Sequence, residues 1–309
     1  LLRSEWQYTM FREPYESMTL CDTVPTFHHP HSQMDLPDEL MEKGRKHMRK
    51  GIFKRPDYSS AGRCFKNAVK GYKRDRQWTL AADATELLAE ARDLEGQPLA
   101  AGLALREGGE FLLNVKEVLR AATLLQQAQP FLIESGKLVE AAECGEKAAL
   151  CLLEINTPEA IAEAYELFAT SLSTLIDEGR LHSAVQPYLR YVEALVDRQK
   201  WGQCLLVLTD LRDLFQRIEQ PHNVNKATFA SIIVCLAQND IVGADEAFLR
   251  FSDYRRAEVG AAETLINHYR SRDVEGYKAS LTSSALFGQW NCIATLARNL
   301  SPDAEDDLL

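Results

Sequence analysis

No stretch of this 309-residue chain approaches about 18 consecutive apolar residues, so a membrane-spanning helix is not expected. No Cys-x-x-Cys pair occurs among the seven cysteines, Cys21, Cys64, Cys144, Cys151, Cys204, Cys235 and Cys292. Scattered among mostly apolar neighbours, they read as reduced, partly buried residues of a cytosolic protein. The phosphate-cradling patterns GxGxxG and GxxxxGKS/T are missing, and so is the GxSxG nucleophile turn. Nothing pairs a nucleophile with a base, so the chain is not expected to be an enzyme or to need a cofactor. Glycine and proline number only 16 and 11, which sets low-complexity disorder aside. Basic charge is in the minority, with 35 Lys and Arg against 45 Asp and Glu and a formal charge of −10. Nucleic-acid binding relies on a phosphate-neutralising basic face, so no nucleic-acid partner is expected. A basic protein partner is compatible with this balance. The opening Leu1-Leu2-Arg3-Ser4-Glu5-Trp6 is not a charged start followed by an apolar stretch, so no secretory signal is expected.

What the chain does have is a beat. Turn-like breaks near Arg76, Gly96, Val115, Gly136, Asn156, Gly179, Lys200, Gln220 and Asn239 recur about every 20 residues. Almost everything between them reads as amphipathic helix. Two helices make a hairpin, so the true repeat is about 40 residues. The expected fold is all-α: a tetratricopeptide-like (TPR-like) α-hairpin solenoid with a C-terminal helical bundle. Such a solenoid is first of all a shaped binding surface.

Four parts are expected. Residues 1–37, broken by Pro14, Pro25, Pro30 and Pro37 and rich in aromatics, form an irregular N-terminal arm. Residues 38–238 are the solenoid, 239–300 a bundle of shorter helices, and 301–309 an acidic tail ending in Leu-Leu. Within the solenoid, Leu80, Ala84, Leu87, Leu88, Ala91 and Leu94 share one apolar helical face. Ala141, Ala142, Ala148 and Ala149 allow a close helix neighbour. Thr157-Pro158 is a helix-start signal, with Thr157 as N-cap. Pro130 and Pro187, inside helical patterns, are expected to kink or shorten their helices. Gly108-Gly109 lies inside a helix and reads as a packing site.

Three segments stand out chemically. His28-His29-Pro30-His31 is the one obvious metal candidate. No Cys or His pair at suitable spacing completes a tetrahedral set, so it reads as a polar loop and no metal is expected. Ile52-Phe53 is an apolar hairpin tip flanked by Arg49, Lys50, Lys54 and Arg55. It fits insertion at an anionic membrane surface, or packing of Phe53 between the two helices. Leu308-Leu309, after Asp306-Asp307, is either a frayed end or a docking hook steered by its acidic neighbours.

The stretch Gly51-Ile52-Phe53-Lys54-Arg55-Pro56-Asp57-Tyr58-Ser59-Ser60-Ala61 resembles the first hairpin of gamma-type soluble NSF attachment proteins. Glu134-Ser135-Gly136-Lys137-Leu138-Val139-Glu140-Ala141-Ala142 is similar to a family helix junction. So are Ile155-Asn156-Thr157-Pro158-Glu159, Gln238-Asn239-Asp240-Ile241-Val242-Gly243-Ala244-Asp245 and Ser284-Ala285-Leu286-Phe287. The order and spacing of these segments cover about residues 38–309. The resemblance implies a cytoplasmic, peripherally membrane-associated adaptor. Its implied partners are a SNARE four-helix bundle, the hexameric NSF-type AAA ATPase and the membrane surface. It implies a membrane loop at Ile52, Phe53, Lys54 and Arg55. It also implies docking and stimulation of the ATPase through Asp306, Asp307, Leu308 and Leu309. Where alpha-type members carry SNARE-contacting lysines, this chain has Glu143, Glu166 and Thr170; Lys137, Lys147 and Arg180 are the nearby substitutes. The tail is closer to the alpha-type ending than the gamma-type one, so the class within the family stays open. A general helical-repeat scaffold for another complex is the alternative reading.

Overall fold

Just past the C-terminal ends of nine successive helices, usually at the second residue, the backbone enters the left-handed region and the chain turns back. In the computed structural model Arg76, Gly96, Lys116, Gly136, Asn156, Gly179, Gln199, Glu219 and Asn239 have φ between 54° and 76°. Six of these are the expected breaks themselves. The other three lie one residue from the expected Val115, Lys200 and Gln220. At the first turn the Arg76 N–H donates to the Lys73 carbonyl at 3.2 Å, and the Gln77 N–H to the Tyr72 carbonyl at 2.9 Å. The same pair of bonds recurs at Gly96, Lys116, Gly136, Gly179, Gln199, Glu219 and Asn239. Each pair satisfies carbonyls that the helix end would otherwise leave open. The residue after the left-handed one already caps the next helix, as Gln77 does. The chain therefore reverses every 20 residues, with 17 in the helix and three in the turn.

The structure describes residues 36–50, 55–251, 257–283, 286 and 288–302. The chain divides into two units, Leu1–Asp35 and Leu36–Leu309. The first unit, which holds nearly all of the expected arm and the His28–His31 cluster, lies outside the described residues. Among the described residues of the second unit there are 14 helices and no strand. They are α1 (Pro37–Met48), α2 (Tyr58–Arg74), α3 (Trp78–Leu94), α4 (Pro98–Asn114), α5 (Val118–Glu134), α6 (Leu138–Ile155) and α7 (Pro158–Asp177). Then come α8 (Leu181–Asp197), α9 (Trp201–Arg217), α10 (Pro221–Ala237), α11 (Ile241–Phe248), α12 (Ala257–Arg270), α13 (Val274–Ser280) and α14 (Asn291–Asn299).

From α1 to α7 each helix packs on the next, and α8, α9 and α10 do the same. This is the expected all-α hairpin solenoid. The α6–α7 junction differs from the others. Thr157 caps α7 by accepting from the Ala160 N–H at 3.2 Å, with Pro158 in the first turn. The helix that follows has 20 residues rather than 17, about one turn more. Beyond it the packing changes: contact between α7 and α8 is sparse, and α6 reaches past α7 to touch α8. Further along, α10 packs against α9, α11, α12 and α14, and α14 also touches α8. The buried Tyr277 of α13 donates to the Ala297 carbonyl of α14 at 2.9 Å. Lys226 of α10 sits 5.4 Å from the ring centre of Trp290, the residue that precedes α14.

Small residues set the helix spacing. Ala141, Ala142, Ala148 and Ala149 of α6 are buried, as the sequence suggested. Gly108 and Gly109 are buried in α4 between neighbours on both sides. A Cβ on Gly108 would collide with the Thr85 hydroxyl of α3, and one on Gly109 would lie 2.7 Å from Leu125 of α5. The packing role expected for this pair is the one it has.

One expectation is corrected and another is narrowed. On α3, Leu80 and Leu94 are 42% and 50% exposed, while Ala81, Ala82 and Ala89 are buried beside Ala84, Leu88 and Ala91. A solenoid helix is flanked on two sides, so its contact surface is wider than a single stripe and is made of alanines. Pro130 and Pro187 do not shorten their helices: α5 and α8 each run the standard 17 residues.

The left-handed turns yield a direct test. At Gly136 a Cβ would meet nothing within 4 Å, so its substitution by alanine isolates the backbone cost. Gly136→Ala is expected to lower unfolding stability by about 1 kcal/mol. Lys116→Gly at the equivalent turn should be neutral or stabilising. Urea midpoints of the two variants and the parent measure both effects.

Candidate interaction surfaces

The first surface is the α1–α2 hairpin tip. Ile52, Phe53 and Lys54 lie outside the described residues; Arg55 is described and exposed, as are Arg49 and Lys50. Below them the hairpin is pinned. The Asp57 N–H donates to the His47 carbonyl at 2.9 Å, and the Asp57 carboxylate accepts from the Ser60 N–H at 2.9 Å to cap α2. That N–H holds the Asp57 carboxyl below the usual carboxylate range. Deeper in the hairpin, Tyr72 of α2 donates to Asp38 of α1, and Phe65 is buried in the gap left by Gly44. These ties fix the three exposed cations on a rigid stem.

The second surface is built by the two layers of the solenoid. Odd-numbered helices bond laterally to odd ones, and even to even. In the even layer Lys73 of α2 meets Glu107 of α4 at 3.0 Å, and Lys147 of α6 meets Glu110 of α4 at 2.5 Å. Arg190 of α8 grips Glu146 of α6 with two bonds of 2.6 and 2.5 Å. In the odd layer Arg120 of α5 reaches Asp83 and Glu86 of α3 at 2.7 and 2.6 Å. Tyr165 of α7 donates to Asp210 of α9 at 3.0 Å, and Ser171 of α7 to Gln129 of α5 at 3.2 Å. The partners are 34 to 45 residues apart in sequence, one hairpin repeat each.

Within these layers Lys147 stands apart from the helix-start positions of Lys137 and Arg180. Lys137 and Arg180 are exposed N-caps of α6 and α8, at the starts of two even helices. Lys147 sits ten residues into α6, about 15 Å along its axis, and its ammonium is committed to Glu110. Glu143 belongs to α6, in the even layer, whereas the exposed Glu166 and Thr170 belong to α7, in the odd layer. These three positions therefore lie on different layers. The even-layer cation that sequence reasoning missed is Arg190. Its partner Glu146 is buried, 4% exposed at its side chain, and the pairing keeps the guanidinium even more firmly protonated than usual.

The third surface, Asp306-Asp307-Leu308-Leu309, lies outside the described residues. Most of the described cysteines are packing residues. Cys144, Cys151, Cys204 and Cys235 are buried, and burial pushes the Cys151 and Cys235 thiols up to about 11. Thiols in that range stay protonated near neutral pH. Among the described residues, no three His, Cys, Asp or Glu side chains converge on a metal position, and no helix is long and apolar enough to cross a membrane.

A layered array of hairpins, built largely from 17-residue helices and cross-bonded between repeats, is the architecture of a helical-repeat protein that works through its surfaces. Sequence comparison places it more closely. The family model described as "Soluble NSF attachment protein, SNAP" matches residues 35–282, so the chain belongs to that family. It is similar to the gamma-soluble NSF attachment protein of Dictyostelium discoideum, 22% identical over 272 residues, covering 85% of this chain and 82% of that protein.

The buried carboxylate of Glu146 depends on Arg190. Arg190→Ala is expected to cost about 2 kcal/mol, less than for a fully enclosed pair because the guanidinium is half-exposed. Replacing Glu146 and Arg190 together by leucine and methionine should cost less than Arg190→Ala alone. Urea unfolding of the single and double variants separates the two outcomes.

Proposed function

We propose that this protein is a non-enzymatic adaptor that couples SNARE complexes to an NSF-type hexameric AAA ATPase for their disassembly in vesicle traffic. The observation that carries the reading is the family match across residues 35–282, the whole run of the repeat array. Its mechanism is scaffolding. The solenoid lies along the four-helix SNARE bundle and holds it. The C-terminal end presents the complex to the motor, and the α1–α2 tip holds the assembly at a cytoplasmic membrane surface. Residues 38–238 serve as the gripping solenoid, 239–300 as the motor-side bundle, and 301–309 as the stimulatory tail. Lateral ion pairs between repeats suit this role, because force applied at one end is passed on by an array whose layers resist shear. The even-layer starts at Lys137 and Arg180 are the exposed cations on offer to an acidic bundle, with Lys147 internally paired.

Two variants test the ends of the scaffold. Leu308→Ala is expected to reduce SNARE-dependent stimulation of the ATPase several-fold while leaving binding of the bundle largely intact. Stimulation equal to that of the parent removes Leu308 from the mechanism. Ile52→Ser combined with Phe53→Ser is expected to slow disassembly of liposome-anchored SNARE complexes but not of soluble ones. Equal rates for both proteins on liposomes count against a membrane role for the tip. A pull-down with the ATPase and an assembled bundle separates the adaptor from a general helical scaffold, which would retain neither.

A further inference from the structure

Between α2 and α4 lies an open groove of about 550 Å³ whose chemistry none of the surfaces above uses. That size falls in the range of sites that enclose small ligands or several side chains, about 300–1,000 Å³. Its floor is apolar: Val69, Leu88 and Ala104 are buried there, and Leu103 stands at the wall, 38% exposed. Its rim is basic. Lys66, Lys70 and Lys73 line it from α2, and Arg92 from α3. The three lysines are spaced four and three residues apart, which places them along one helical stripe.

The rim cations are not equivalent. Lys73 is paired with Glu107 at 3.0 Å and sits 5.3 Å from the ring centre of Phe111. Arg92 is paired with Glu95 at 2.6 Å. Lys66 and Lys70 are exposed and have no carboxylate partner among the described residues. Elsewhere in the even layer the cations Lys147 and Arg190 are bound to Glu110 and Glu146. Two lysines without a carboxylate partner therefore stand beside a recessed apolar floor in a chain of net charge −10.

We propose that this groove docks an acidic, leucine-bearing helix of a protein partner. One or two aliphatic side chains of that helix fill the floor against Leu88 and Leu103. Its carboxylates, one turn to either side, meet Lys66 and Lys70. The charge pattern selects an acidic partner, and the concave floor selects side chains that project into it. A membrane surface calls for apolar side chains that protrude, and here they are recessed. A bare anion leaves the apolar floor unfilled. The proposal does not rest on the adaptor reading, since its test uses neither a SNARE bundle nor the ATPase.

The test uses the full chain and a fluorescein-labelled helical peptide of about 15 residues, with two leucines four positions apart flanked by glutamates. Fluorescence anisotropy is expected to show saturable binding that weakens as salt is raised. Lys66→Glu combined with Lys70→Glu should raise Kd about tenfold or more, and so should changing both peptide leucines to serine. Because both lysines are exposed, the thermal melt of the double variant should match the parent. Leu103→Ser, at the wall, is expected to weaken the peptide without changing the salt dependence. Absence of saturable binding overturns the proposal, as does equal binding by parent and double variant. So does a double variant that loses only sedimentation with phosphatidylserine vesicles while keeping the peptide, which would make the stripe a membrane contact.

Discussion

The reversals from α2 to α11 each depend on a residue held in the left-handed region just past a helix end. Only three of the nine such residues between α2 and α11 are glycine, at Gly96, Gly136 and Gly179. The others, including Arg76, Lys116, Gln199 and Glu219, adopt a conformation that costs an ordinary residue on the order of 1 kcal/mol. They hold it because two reverse hydrogen bonds and the packing of the next helix over-determine the turn. From this constraint the rest follows. Uniform turns give uniform helices, uniform helices place equivalent positions side by side, and only then can Lys147 find Glu110 or Arg190 find Glu146.

The same constraint explains what could be read from the sequence. Glycines and asparagine announced Gly96, Gly136, Asn156, Gly179 and Asn239 by residue type. Lys116, Gln199 and Glu219 carry no such mark, and there the expected break fell one residue away. The helical fold and the role of Thr157 were legible because periodicity and capping are local. The inward face of α3 was not, because its width is set by two flanking helices that the local pattern does not contain. The lateral pairs were hidden for a similar reason. Arg190 and Glu146 are 44 residues apart, and nothing in either neighbourhood announces the other.

Formal charge says little about such a surface. Several of the cations that look available in the sequence are spent between repeats, including Lys147, Arg120 and Arg190. What remains for partners is decided by which lateral pairs are incomplete. On the even layer that includes Lys137 and Arg180 at the helix starts, and Lys66 and Lys70 beside the α2–α4 groove. The stripe on α2 was visible in the sequence as lysines spaced four and three apart. Its lack of carboxylate partners became apparent only once the facing side of α4 was known.

The extra turn of α7 has a mechanical consequence. In a linear array each repeat draws its stability from its two neighbours, so the array is as cooperative as its weakest junction. Here one helix overshoots the others by a turn, the contact that follows it is thin, and α6 must span to α8 to carry continuity across. The Glu146–Arg190 clasp falls at that seam and bridges it. The solenoid is therefore two stiff blocks joined across this seam by polar ties, of which Glu146–Arg190 is the tightest and Glu154–Arg198 and Tyr165–Asp210 are others. Bending and shear concentrate at that seam, between the half that carries the α1–α2 hairpin and the half that carries α10.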